Sequence, residues 1–273
     1  MTMATTPAFV AAPAGRVAFV GAGPGQADLI TLRGAQRLAQ ATVVLSDALA
    51  DPALRDLAPQ ARWLHVGKRG FADSMGQQAI NALLIKSARE VGPTGLVVRL
   101  KGGDPSVFGR LEEELQAMAA VGIACEVVPG VTAALAAAAS AQRPLTRRGA
   151  GRSVSFATAV TATTATTHTD SVQASCHADT EVFYMAGKQL AALSRKLVRA
   201  GWPAETAVCV VSRAGWPDEL TSDHTVATLG RASMLHAGRP TVVVVGAGAR
   251  PLNKVESSAS GTACAPLVAS LNT

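Results

Sequence analysis

The chain has 273 residues, and with hydrophobic types at 48% it can bury a substantial core as a globular protein of one large or two modest domains. No run reaches the roughly 18 uninterrupted apolar residues of a membrane helix, because even the alanine-rich stretch around 131–142 is short and bounded by polar residues. The formal net charge of +6 favours an anionic partner, but aromatics are only 4% and no Lys/Arg run interleaves with them, so nucleic acid is not expected.

Residues 1–14 are mostly small, with no basic residue ahead of Arg16 and no sustained apolar core, and are expected to be a disordered leader rather than a signal peptide. From 15 to 145, short apolar runs alternate with helical spacing. "RVAFVG", "ATVVLSD", "RWLHVG", "GLVVRLKGG" and "ACEVVPG" read as strands, and the segments near 31–40, 77–90 and 111–121 as helices. This alternation predicts an α/β domain with a mostly parallel sheet, and nearly every strand ends at Gly, Pro or Asp, where open parallel sheets bind ligands. The segment "QRPLTRRGAGRS", 142–153, concentrates Pro, Gly and Arg and reads as a connection into a second α/β domain, 146–250. Its expected strands are "SVSFATAV", "EVFYMAG", "AVCVVSRAG" and "RPTVVVVGAG", with a helix over "KQLAALSRKLVRAG" ending at Gly201. The Thr-rich segment 161–180 reads as a flexible loop, and residues 251–273 as a disordered tail.

The four cysteines are scattered, with no C-x-x-C pair, which suits a reducing cytoplasm and argues against zinc or a disulfide framework. The five histidines show no ligand spacing, so no metal is expected. The first glycine loop, "VGAGPGQADLITL", begins like a dinucleotide fingerprint at Gly21 and Gly23. Gln26 occupies the place of the third glycine, and Pro24 removes a backbone donor from the turn.

Two further loops decide the matter. "VVRLKGGDPSVFGRLEEEL", 97–115, joins a buried strand to a Gly-Gly-Asp-Pro turn and an acidic helix start, and "CEVVPGVTAALAAAASAQRPLTRRG" breaks at Pro129 and Gly130 into a helix of small residues. Taken in order with the first loop, "VGKRG" and "VFYMAG", these segments resemble the tetrapyrrole methylase superfamily over roughly residues 15–248. The resemblance implies two α/β domains, each a mixed or mostly parallel sheet flanked by helices, with S-adenosylmethionine bound in the cleft between them and homodimers as the usual state. By similarity, Pro24, Gly102, Gly103, Asp104, Val107, Thr132, Ala133, Met185 and Ala214 belong to the cofactor pocket. The implied activity is methylation of two ring carbons of uroporphyrinogen III to give precorrin-2, on the way to sirohaem and corrinoids, with S-adenosylhomocysteine as the other product.

Such chemistry needs an electron-rich pyrrole carbon aligned with the sulfonium methyl, and a group that handles a proton. Asp47 and Lys68, each just beyond a predicted strand, match the acid/base positions of the family, with a turn cap and a carboxylate anchor as the plain alternatives. Arg110 and Glu113 lie three apart on one helical face. There they can hold a substrate carboxylate and orient it or accept a proton, or simply form a surface pair. Arg69, Arg147 and Arg148 would add positive charge around the same mouth. Ser46 and Ala48 stand where family members commonly carry Tyr and Arg, Ser106 where Phe is usual, and Leu111 and Glu112 where a Gly pair is usual. These departures fall on the substrate-facing side. They leave open another corrinoid-ring methylase, or a homologue that binds without turning over.

Overall fold

The structure, a computed structural model, describes residues 14–67, 75–159 and 178–252. All of the expected leader but Ala14, most of the Thr-rich segment, the tail from 253, Lys68 and Arg69 lie outside these residues.

The first sheet is built from β1 (Arg16–Gly21), β2 (Val43–Ser46), β3 (Arg62–His65), β4 (Leu96–Lys101) and β5 (Cys125–Val128). Its order is β3-β2-β4-β1-β5, and every pairing is parallel. The strand sequences follow from that position, since a parallel strand covered on both faces must be apolar along its whole length. Val17, Ala18, Phe19 and Val20 are all fully buried. Successive side chains take opposite faces. Ala18 and Val20 join Val44, Val98 and Leu100 against Leu38 of α1 (Leu32–Ala39). Val17 and Phe19 join Val43, Leu45 and Val97 on the other face, where α2 (Gln77–Glu90) and α3 (Leu111–Ala119) supply Ile80, Leu84 and Met118.

The second sheet contains β6 (Val154–Thr158), β7 (Thr180–Tyr184), β8 (Ala207–Ser212), β9 (Leu220–Thr225) and β10 (Thr241–Gly246). The order is β6-β7-β10-β8-β9, parallel only between β6 and β7. One face packs on α5 (Leu190–Arg199) through Leu190, Leu193 and Leu197. The other carries α4 (Ala133–Ser140), whose Ala134, Ala136 and Ala137 lie against Tyr184, Val211 and Val242. The helix that follows the last strand of the first sheet thus packs in the core of the second. Alanine side chains allow that close approach, and the carboxyl ends of β1, β2 and β4 come to face the loops after β7 and β8.

Among the described residues no helix is long and apolar enough to cross a membrane. The strand over "LTSDHT", β9, has no counterpart in the sequence reading. It is an edge strand of polar residues with only partial burial, so the apolar signal is missing.

Candidate active site

The loops after β1, β4 and β5 meet with almost no side chain between them. Gly23 and Gly103 form an isolated antiparallel bridge, Gly103 N donating to Gly23 O at 2.9 Å and Gly23 N to Gly103 O at 3.2 Å. A Cβ on Gly21 would lie 2.6 Å from the Gly130 Cα, and one on Gly130 would overlap the Gly103 carbonyl. Asp104 locks the same junction, accepting from Ser106 N at 2.8 Å and from Gly130 N at 2.9 Å. Gly103 itself differs. Its φ is +71°, and the nearest atom to a Cβ there would be 3.9 Å away, so its outer side faces open space.

That space is a cleft of about 330 Å³. The second sheet closes it with Met185 after β7 and with Arg213 and Ala214 after β8. Met185 and Arg213 hold left-handed backbone (φ 55° and 52°), as do Phe108 on the opposite wall (51°) and Arg110 just beyond it (55°), a strained geometry for non-glycine residues. The halves are tied directly. Thr132 Oγ1 and Tyr184 OH are 2.8 Å apart, and Gln26 N donates to Gly215 O at 3.2 Å. Burial raises the Tyr184 pKa, keeping the phenol protonated and able to donate. Phe108 packs edge-on against Tyr184, with ring centroids 5.0 Å apart.

Asp47 stands at the end of β2 on the cleft wall. Its Oδ1 is 2.7 Å from Arg99 Nη2, and behind it runs a buried charge relay: Arg99 Nε to Glu114 Oε1 at 2.9 Å, and Lys101 Nζ to Glu114 Oε2 at 2.6 Å. Glu114 is fully buried, and Arg99 and Lys101 are each 3% exposed. Burial works against the charge on Arg99, but Asp47 and Glu114 outweigh it and hold the guanidinium protonated. Lys101 also lines the cleft, and its pKa is lowered, first by burial and then by the Arg99 charge, with Glu114 opposing.

Of the residues expected at the cofactor pocket, Pro24, Gly102, Gly103, Asp104, Val107, Thr132, Ala133, Met185 and Ala214 all line this cleft, as does Asp47. Lys68 falls outside the described residues. Arg110 and Glu113 do not line it. They form a two-pronged pair at the start of α3, with both contacts at 2.7 Å and the side chains 57% and 48% exposed, one residue beyond the lining Gly109. The Arg110 hydrogen bond lowers the Glu113 pKa. Arg147 is engaged in the turn after α4, bridged to Gly151 and donating to the Arg250 carbonyl, while Arg148 is exposed; neither lines the cleft.

Sequence reasoning missed Arg99, Lys101 and Glu114. The signal was present: two cations at i and i+2 in an otherwise apolar parallel strand require a buried acid, and the Glu run at the next helix start is the nearest source. No group of His, Cys, Asp and Glu suited to a metal occurs among the described residues.

The sequence profile of the Tetrapyrrole (Corrin/Porphyrin) Methylases matches residues 16–230, well over half of the chain. The chain belongs to the tetrapyrrole methylase family. This tetrapyrrole methylase is 42% identical over 207 residues to a uroporphyrinogen-III C-methyltransferase of Paracoccus denitrificans, covering 75% of this chain and 71% of that protein. It is 43% identical over 237 residues to a siroheme synthase of Baumannia cicadellinicola, covering 86% of this chain but only 50% of the relative, so it spans about half the length of such synthases. Among solved structures, uroporphyrin-III C-methyl transferase from Thermus thermophilus complexed with S-adenyl homocysteine superposes with a TM-score of 0.71 at 33% identity, covering 85% and 97% of the two chains. A cobalt precorrin-4 methyltransferase superposes with a TM-score of 0.72 at 28% identity, covering 86% and 96%.

Proposed function

We propose that this tetrapyrrole methylase transfers methyl groups from S-adenosylmethionine to two ring carbons of uroporphyrinogen III, giving precorrin-2 and S-adenosylhomocysteine. One observation carries the reading: Asp47, held by Arg99, opens onto the same cleft as Gly102, Gly103, Asp104, Thr132, Ala133, Met185 and Ala214. A relative named uroporphyrinogen-III C-methyltransferase at 42% identity and a solved uroporphyrin-III C-methyl transferase at 33% support it.

The cleft residues fit a bound nucleoside carrying an amino acid. Gly103 presents bare backbone where any Cβ would project into the open cleft, and the Met185 and Ala214 loops face it from the other sheet. When bound, the donor supplies an electrophilic methyl on a sulfonium. The chain supplies alignment and proton handling. Each carbon methylation releases one proton from the tetrapyrrole; Asp47, a carboxylate on the cleft wall oriented by Arg99, accepts it in this reading, while Asp104, the other carboxylate on that wall, is taken up by backbone N–H groups. Lys68 is the second acid/base candidate on resemblance, and Arg110 with Glu113 a carboxylate contact at the rim, next to Gly109. A homodimer in the cytoplasm belongs to the same reading; exposed apolar residues such as Leu135 (52%) and Phe156 (43%) are compatible with a second copy.

Anaerobic incubation with S-adenosylmethionine and uroporphyrinogen III, followed by mass spectrometry, should show a product in which two hydrogens are replaced by methyl groups. Bound donor with unchanged tetrapyrrole mass would reject the reading, and methylation only of an already methylated ring would move the chain to another corrinoid-ring methylase.

A further inference from the structure

A second cavity, of about 230 Å³, adjoins the cleft and shares Asp47, Ala48 and Trp216 with it. We propose that it seats one carboxylate-bearing side chain of the tetrapyrrole, with Arg55 as the cation that receives it; the inference rests on the substrate class proposed above.

Small residues create the space. Ser46 and Ala48, on either side of Asp47, leave the wall open, and Trp63 and Trp216 line it with flat apolar surface suited to the edge of a macrocycle. Arg55 lies beside Trp63, its guanidinium carbon 5.6 Å from the ring centroid. Arg55 Nη2 donates to His65 Nε2 at 2.6 Å, and His65 Nδ1 lies 2.9 Å from Ser46 Oγ. An arginine cannot accept, so the imidazole must present a bare Nε2 to it and carry its proton on Nδ1, which then donates to Ser46. This chain aims the guanidinium while using one of its five N–H groups.

The charge balance favours an anion. Among the described residues Arg55 forms no ion pair, whereas both acids that face the cavity are engaged elsewhere. Asp47 pairs with Arg99, and Asp51 accepts from the backbone N–H groups of Ala27 at 3.0 Å and Ala53 at 2.9 Å. A carboxylate is the ligand matched to a planar guanidinium fork with most of its N–H groups still to be used. Because the two cavities meet at Asp47, a side chain seated at Arg55 would hold its ring near the carboxylate assigned to the proton.

The test titrates uroporphyrin III, the stable oxidised octacarboxylate, into the protein and follows tryptophan quenching. Arg55→Gln should raise the Kd about tenfold and Arg55→Lys by less, because lysine keeps the charge but loses the fork. Arg62→Gln, which removes an exposed cation paired with Glu90, should leave the Kd unchanged, and S-adenosylhomocysteine affinity should be that of the wild type in all three. Wild-type Kd in Arg55→Gln, equal weakening in Arg62→Gln, or no binding of uroporphyrin III by the wild type would overturn the inference. A wild type that binds uroporphyrin III but does not methylate uroporphyrinogen III would sink the proposed reaction, and the Arg55→Gln Kd would still decide this seat.

Discussion

Asp47, at the cleft end of the charge relay, and Glu114, in its buried middle between Arg99 and Lys101, should fail in different ways. Asp47→Asn keeps size but removes both the capacity to take a proton and the charge that faces Arg99, so methylation should fall by about 100-fold or more while S-adenosylhomocysteine binding holds. Comparable losses in both would demote Asp47 to a binding group. Glu114→Gln instead leaves Arg99 and Lys101 buried without their shared anion, and urea denaturation should report a loss of about 3–5 kcal/mol. The double variant with Lys101→Met should recover part of it. Asp47 was legible in the sequence through the family resemblance, supported by its place just beyond a strand, where ligands gather. Glu114 was not, because a glutamate in the first turn of a helix ordinarily answers the helix dipole from the surface, and only the tertiary approach of β4 turns it inward.

At the scale of elements, two glycines a few ångströms apart give a discriminating comparison. Gly103→Ala puts a methyl into open space at a left-handed φ, which costs about 1 kcal/mol of stability and should weaken S-adenosylhomocysteine binding about tenfold by occupying the donor's side of the cleft. Gly130→Ala drives a methyl into the Gly103 carbonyl. Its stability loss in the same denaturation assay should be clearly larger, because backbone has to move. The second sheet carries a separate liability. His236 is fully buried between Ser212 and Ser222, and its pKa is lowered from 6.5, first by burial and then by His224 and Arg239. The unfolded chain takes up a proton that the folded one resists, so this contribution is complete above pH about 6.5 and is lost as the pH falls below it. Melting temperature should therefore drop on acidification through that range, and His236→Gln should flatten the slope. The strands of the first sheet were readable because burial on both faces makes them continuously apolar. For α4 the sequence says only that a helix of alanines packs closely, since nothing in such a helix names the sheet it will cover.

For the whole molecule, the alternation of strands and helices and the Gly/Asp strand ends were enough to expect ligand chemistry at one edge of a parallel sheet. Periodicity and spacing alone do not show which loops of the second half reach that edge, and only the resemblance put Met185 and Ala214 there, because contacts such as Thr132–Tyr184 and Gln26–Gly215 join residues dozens to nearly two hundred positions apart. Strand order has a further consequence, for biosynthesis. β1 is made first yet lies inside its sheet, flanked by β4 and β5. On the ribosome its apolar run has no lateral partner until residues 96–101 emerge, several seconds later at elongation rates of about 5–20 residues per second. Nascent chains that end before β4 should therefore sediment with aggregates or associate with holding chaperones, whereas chains released after β5 and α4 should not, which a truncation series in a cell-free translation extract can measure. For this protein, yield in a heterologous host is then governed by how long one early strand must be shielded, and slower growth temperatures or added chaperones should act on that interval rather than on the stability of the finished fold.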